Sequence, residues 1–228
     1  MTDPQNPLGL NGFEFVEYAA PDPEMLRDLF TRMGFPAVAR HKSKNVTLHK
    51  QGDCNFVINA EPGSYAEEYA KAHGPSACAM GWRVKDAVKA YEHAVAQGAV
   101  PFDTKPGLME LRLPAVYGIG SSVLYLIDRY GSQQSIYDVD FRWFDGVERN
   151  PVGVGLHEID HLTHNVERGN MDTWAGFYER IGNFRQIRYF DIEGKLTGLV
   201  SRAMTSPCGK IRIPINESSD DKSQIEEF

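Results

Sequence analysis

The order of secondary-structure signals repeats three times along this sequence, and that repetition limits the folds open to it. In each repeat an extended stretch precedes an amphipathic helix, and further extended stretches follow. The helices are predicted to begin at the polar N-cap residues Asp22, Asp86 and Asn170, and a glycine marks the end of each. The intervals between these starts are too uneven for a solenoid. The sequence therefore predicts an α+β fold of repeated βαβββ modules.

The predicted strands of the three modules show alternating apolar residues or flank short turn signals. They cover residues 12–19, 37–50, 54–59, 77–84, 108–114, 122–128, 156–166, 187–192, 195–202 and 210–216. The one helix of a module can cover only one face of its sheet, so the other face needs a second module.

This requirement predicts the domain organisation. The first two modules form a natural pair, which predicts an N-terminal domain over residues 1–150. Residues 151–228 then hold the first module of a second domain, with no partner module in the sequence. We therefore expect this chain to be the front portion of a longer four-module protein, and we expect its uncovered module to favour homo-oligomers.

Composition excludes several classes of protein. The 228 residues carry a formal net charge of −7 and no basic stripe, which argues against a nucleic-acid partner. No apolar run approaches the roughly 20 residues of a membrane span, and the N-terminus lacks the layout of a signal peptide. The three cysteines are widely spaced without a C-x-x-C pair, so we predict reduced thiols in a cytoplasmic protein.

A histidine-rich stretch opens the third module and contains the letters H-E-x-x-H from His157 to His161. That zinc-protease signature requires a helix, because only there do residues four apart reach one metal ion. The flanking glycines and β-branched residues favour a strand, on which residues four apart lie roughly 13 Å from each other. We therefore reject the protease interpretation. On a strand, His157, Ile159, His161 and Thr163 share one face, and one histidine could act as a single metal ligand.

The last strand separates isoleucines on one face from Arg212, Pro214 and Asn216 on the other. Alternation in residues 199–202 lets Ser201 reach the same polar face. A concave face with a few converging polar groups is typical of a ligand site, and a merely solvated face is the alternative. The predicted position of His161 opposite this strand favours the ligand site.

Several long segments, in the same order, are similar to 4-hydroxyphenylpyruvate dioxygenases of the vicinal-oxygen-chelate superfamily, whose glyoxalase-like fold pairs βαβββ modules. The resemblance runs from about residue 7 to residue 228. The segments that carry it are residues 9–15, 40–46, 73–76, 146–153, 159–166 and 213–217.

The resemblance implies an Fe(II) site formed by two histidines and one glutamate. The first histidine of that family belongs to an Asp-His pair, which here is Asp160 and His161. The second histidine and the glutamate are expected beyond Phe228, so this chain supplies one of three ligands and is predicted to be inactive alone. The histidines of the first two modules are expected to be structural, and His164 is expected to face the helix.

The reaction implied is the conversion of 4-hydroxyphenylpyruvate and O₂ to homogentisate and CO₂ in tyrosine catabolism. The family's substrate-binding positions correspond here to Ser201, Pro214, Asn216 and Gln224, with Thr163 close to the metal. One alternative is hydroxymandelate synthase, which uses the same substrate and iron. Another is a non-catalytic small-molecule-binding protein of the same fold.

Overall fold

The computed structural model describes residue 3 and residues 5–131, 134–193 and 198–218. Its first module runs through β1 (Phe13–Ala19), α1 (Pro23–Arg32), β2 (Ala37–His41), β3 (Val46–Gln51) and β4 (Cys54–Asn59). The strand β1 pairs in parallel with β4, and β4 continues antiparallel to β3 and then to β2. The module therefore has the strand order β1-β4-β3-β2.

The second module repeats this topology with β5 (Ser76–Arg83), α3 (Ala87–Ala96), β6 (Pro101–Phe102), β7 (Ala115–Tyr117) and β8 (Val123–Ile127). Its first strand β5 again pairs in parallel with its last strand β8, which is antiparallel to β7. The strands β1 and β5 pair antiparallel and join the two modules. With the short edge strand β9 (Phe141–Trp143), the result is one curled sheet with the order β6-β7-β8-β5-β1-β4-β3-β2-β9.

The third module consists of β10 (His164–Val166), α5 (Met171–Gly182), β11 (Arg185–Glu193), β12 (Gly198–Thr205) and β13 (Arg212–Ser218). Its four-stranded sheet has the order β10-β13-β12-β11, with β10 parallel to β13. This is the strand order of the first module. The threefold repeat of the βαβββ unit is therefore confirmed.

Four further elements lie between the modules or at the edge of the sheet, and the sequence did not predict them. They are α2 (Tyr65–His73), a 3-10 helix (Ile119–Ser121), α4 (Ile136–Asp140) and β9 (Phe141–Trp143). The helix α2 did carry a sequence signal, because Ser64 stands at its N-cap and its side chain accepts a hydrogen bond from the Glu67 N–H.

Polar N-caps set the starts of the first two predicted helices. The Asp22 carboxylate accepts from the Glu24 N–H at 3.0 Å, and the Asp86 carboxylate accepts from the Lys89 N–H at 3.1 Å. Residue Asn170 occupies the third N-cap, but its side chain makes no capping bond to the described residues.

Three predicted strands are wrong. Residues 37–50 form the two strands β2 and β3, which are separated by a bend at residues 42–45. Residues 108–114 are irregular, with Leu108 and Met109 almost fully exposed and Met109 at a φ of +65°. The strand predicted over residues 156–166 is limited to β10, because the chain before it bonds to the β3–β4 turn instead. The Gly52 N–H donates to the Pro151 carbonyl at 3.0 Å, and the Asp53 N–H donates to the His157 carbonyl at 2.7 Å.

Only a glycine fits at position 52 of this turn. Gly52 has a φ of +53°, in the left-handed region that side chains disfavour. A Cβ added there would lie 2.5 Å from the Leu156 carbonyl oxygen. Residues 151–157 can therefore pass directly over the turn.

The main hydrophobic cluster joins the third module to the first two. Trp82 of β5 stacks on Phe184 with ring centroids 5.2 Å apart, and Tyr178 of α5 lies 5.9 Å from the same indole. All three residues are buried, together with Ile181. Apolar side chains from residues 1–150 therefore pack against apolar side chains from residues 151–228. The division into two domains at this point stays a prediction. Within the described residues, no helix has the length and apolar character needed to span a membrane.

Candidate functional site

The open face of the third sheet gathers polar side chains from three adjacent strands. Ser201 of β12 and Asn165 of β10 are both Cα partners of Asn216 in β13. Partners in a sheet point to the same face, so the three side chains lie side by side. The Asn216 amide donates to the Asn165 amide oxygen at 3.4 Å.

The opposite face of this sheet is apolar and lies under α5. Ile213, Ile215 and Met204 are fully buried there. Arg202 also points to this side and forms an ion pair of 2.7 Å with Asp172 in the first turn of α5. The predicted separation of the two faces of β13 is therefore confirmed, and Ser201 points away from α5.

His161 precedes β10 on an extended segment that continues along β13. The Leu162 N–H donates to the Arg212 carbonyl at 3.1 Å, and Leu162 packs against the main core. His161 and Thr163 flank Leu162 and are both exposed. Alternation thus turns these two residues toward the open face that also carries Asn165.

Asp160 fixes the imidazole of His161. One carboxylate oxygen lies 2.8 Å from the His161 Nδ1, and the other lies 2.6 Å from an Arg212 guanidinium nitrogen. The hydrogen bond to His161 and the charge of Arg212 lower the pKa of Asp160. In the neutral tautomer whose Nδ1–H donates to this carboxylate, the lone pair of the ring lies on Nε2. A histidine arranged in this way is ready to bind a metal ion through Nε2.

Of the other two histidines of the stretch, His164 has the expected side-chain hydrogen bond, whereas His157 is exposed. The Tyr178 hydroxyl lies 3.0 Å from the His164 Nδ1, and burial lowers the pKa of His164 to about 4. His157 contributes its backbone carbonyl to the bond with Asp53 described above.

The structure thus gives positions to most of the predicted site residues. The pairing of β12 with β13 places Ser201, Pro214 and Asn216 on the polar face. Thr163 and His161 are assigned to the same face because they alternate with Leu162 and are exposed. Gln224 lies outside the described residues.

Sequence reasoning missed Asn165, although its position two residues after Thr163 on the same strand could have indicated it. Among the described residues, no group of three His, Cys, Asp or Glu side chains is placed to hold a metal ion. In the described part of the chain, His161 could therefore serve as one metal ligand, but a three-ligand set is not complete.

A sequence model of the family described as "Hydroxyphenylpyruvate dioxygenase, HPPD, N-terminal" matches residues 4–142, more than half of the sequence. The chain belongs to the 4-hydroxyphenylpyruvate dioxygenase family. A 4-hydroxyphenylpyruvate dioxygenase from Pseudomonas aeruginosa is 61% identical over 98% of the chain. A protein named Hemolysin VllY from Vibrio vulnificus is 67% identical over all of it. The chain spans 63% and 65% of the lengths of these two relatives.

A solved structure supports the same family at the level of the fold. A xylose isomerase-like TIM barrel/4-hydroxyphenylpyruvate dioxygenase fusion protein superposes with a TM-score of 0.80 at 34% identity. The match covers 99% of this chain and 35% of the other. The predicted vicinal-oxygen-chelate fold of the 4-hydroxyphenylpyruvate dioxygenase family is confirmed.

Proposed function

We propose that this chain forms part of an Fe(II)-dependent dioxygenase that converts 4-hydroxyphenylpyruvate and O₂ to homogentisate and CO₂. The observation that carries the proposal is the pairing of Asp160 with His161 beside the open face of Ser201 and Asn216. Family membership and the relative from Pseudomonas aeruginosa indicate the reaction. A cytoplasmic location, a role in tyrosine catabolism and a homo-oligomeric assembly remain predictions from the sequence.

His161 is the iron ligand that this chain would supply. Its imidazole is about half exposed, and the Asp160 carboxylate contacts Nδ1, which leaves Nε2 as the nitrogen that would bind the metal. A second histidine and a glutamate from outside the described residues would complete the set. Bound Fe(II) would activate O₂ for the oxidative decarboxylation of the 2-oxo acid and the hydroxylation of its ring.

The polar face would orient the substrate. Asn216 and Asn165 each offer an amide donor and an acceptor, and the Ser201 hydroxyl can act as either. Neutral groups of this kind suit the uncharged phenol of 4-hydroxyphenylpyruvate. Pro214 lies two residues before Asn216 on the same face, where it would form an apolar wall for the ring. Thr163 would lie between these groups and His161.

Substitution of His161 in the complete gene product tests the proposal. We expect His161→Ala to weaken Fe(II) binding at least about 100-fold and to abolish homogentisate formation, because one of three ligands is lost. His157→Ala is the matched control, since within the described residues the bond that His157 makes comes from its backbone carbonyl, and this variant should bind Fe(II) and turn over like the wild type.

Iron content after dialysis against a competing chelator and chromatography of the products are the two measurements. Iron binding that survives His161→Ala but not His157→Ala would contradict the assignment of the ligand. Formation of hydroxymandelate in place of homogentisate would contradict the proposed reaction while leaving the ligand intact.

A further inference from the structure

The first two modules enclose a large cavity that the proposed reaction does not use. It has a volume of about 740 Å³ and lies on the concave side of the nine-stranded sheet, away from His161 and the third module. Cavities that bind small molecules usually measure about 300–1,000 Å³. The size is therefore that of a ligand site.

A buried carboxylate lies at the floor of this cavity. Glu17 stands in the middle of β1, where its Cα partners are Val57 of β4 and Ala79 of β5. Glu17 is almost completely shielded from solvent and lines the cavity. A buried carboxylate is costly unless charged or hydrogen-bonding groups compensate it.

The compensation for Glu17 is incomplete. Among the described residues, its side chain accepts one hydrogen bond, from the Asn59 amide at 2.7 Å. Burial raises the pKa of Glu17, and the Asn59 bond and the positive charge of Lys44 oppose that effect. Lys44 itself is paired with Glu110 at 2.8 Å. An ionised carboxylate can accept several hydrogen bonds, so Glu17 has capacity for a further donor.

The walls above Glu17 are rich in aromatic rings. They come from Phe15, Tyr65, Phe102, Tyr117 and Tyr125. The Tyr65 and Phe102 rings lie 5.1 Å apart, and Phe15 lies 5.7 Å from Tyr125. The hydroxyl of Tyr65 is buried without a hydrogen-bond partner among the described residues. The faces of aromatic rings attract cations, most strongly where water is excluded.

The charged side chains at the cavity are mostly acidic. Two lysines line it, Lys44 and Lys105. The lining also includes six carboxylates, from Glu17, Glu61, Glu68, Asp103, Glu110 and Asp140. A cleft lined by an excess of negative charge concentrates cations and repels anions. A 2-oxo acid is therefore a poor ligand for this cavity.

We propose that this cavity binds a small organic cation, an amine on an aromatic or apolar body, with Glu17 as its counter-ion. The ammonium group fills the free acceptor positions of the Glu17 carboxylate, and the Tyr65 hydroxyl accepts from the same group. The aromatic rings enclose the body of the ligand. This site is independent of iron and of the proposed dioxygenase reaction.

Calorimetric titration of the 228-residue chain with three probes of one shape tests the charge preference. The probes are 2-phenylethylamine, the neutral 2-phenylethanol and the anion phenylacetate. We expect saturable binding of the amine, at least tenfold weaker binding of the alcohol, and no binding of the anion. Absence of saturable amine binding at millimolar concentration, or equal binding of amine and alcohol, overturns the proposal.

Variants locate the site. Glu17→Gln keeps an acceptor for Asn59 and removes the charge, so the amine should bind at least tenfold more weakly. Ala79→Leu adds a side chain beside Glu17 on the cavity side and should abolish binding. Glu148→Gln is the control, because Glu148 is exposed and lies outside the lining. Thermal denaturation checks that each variant is folded, and unchanged amine binding by a folded Glu17→Gln overturns the assignment of Glu17.

Discussion

The ring of His164 lies on the helix side of the third sheet, against Tyr178 of α5. The two rings have centroids 6.1 Å apart, and the Tyr178 hydroxyl reaches the His164 Nδ1 at 3.0 Å. Burial lowers the pKa of His164 from 6.5 to about 4, so the ring is neutral at pH 7 and its Nδ1 can accept a hydrogen bond from the Tyr178 hydroxyl. The unfolded chain exposes the ring and restores its ordinary pKa.

This difference predicts a loss of stability in mild acid. Between pH 6.5 and pH 4 the unfolded state binds a proton that the folded state does not, so the free energy of unfolding falls as the pH falls. We expect His164 to contribute on the order of 2 kcal/mol to that fall, because part of the residue still contacts solvent. Below pH 4 its contribution does not grow further.

His164→Gln isolates the effect, since glutamine offers Tyr178 an acceptor but does not titrate. Urea unfolding at pH 7 and at about pH 4.5 measures the free energy in both proteins. The fall should be smaller in the variant by roughly 2 kcal/mol. Equal pH dependence in the two proteins would show that His164 does not titrate as described.

At the scale of elements, a side chain of the last strand, β13, caps the N-terminus of α5. The Met171 N–H donates to the Glu217 carboxylate of β13 at 2.9 Å, whereas Asn170 makes no side-chain cap to the described residues. The Asn170 amide instead reaches Glu167 at 3.4 Å. A carboxylate at a helix N-terminus also interacts favourably with the helix dipole. The bond therefore ties the start of α5 to the last strand.

We expect Glu217→Ala to lower the free energy of unfolding by about 1 kcal/mol, because an N–H of the first turn loses its acceptor. Asn170→Ala is the matched control and should change it by less than about 0.5 kcal/mol. Chemical denaturation followed by circular dichroism measures both. A larger loss for Asn170→Ala than for Glu217→Ala would contradict this account of the helix start.

At the scale of the whole molecule, the third module packs on the second through apolar side chains. Phe184 is buried against Trp82, and the helices α3 and α5 lie next to each other in the same hydrophobic cluster. A polar contact adds to this packing, because the Lys210 amine donates to the Asn11 side chain at 2.7 Å. The described modules thus share a core and are not held together by a linker alone.

Phe184→Ala should destabilise the chain by about 3–5 kcal/mol, since it leaves a cavity beside Trp82. Val88→Ala is the control on the exposed side of α3 and should change stability by no more than about 0.5 kcal/mol. Urea unfolding followed by tryptophan fluorescence and by circular dichroism should give coincident curves for the wild type. Two separate transitions in the wild type would show that the two parts unfold independently.

Local patterns in the sequence predicted the elements that short-range physics controls. The side chains of Asp22 and Asp86 cap the helices that follow them, and a few neighbouring residues are enough to recognise such a cap. Ile213 and Ile215 alternate with polar residues, which identified the buried face of β13 before any partner strand was known. The module repeat and the open polar face of the third sheet both followed from these patterns.

The tertiary structure alone decided which distant residues meet. Residues 151–157 bond to the turn at Gly52 and Asp53 and so do not extend β10, and Glu217 caps a helix that begins 46 residues earlier. Glu17 likewise reaches Asn59, and their cavity exists because two modules curl one sheet. Periodicity reports which neighbours share a face of one element, whereas such contacts depend on how all the elements pack.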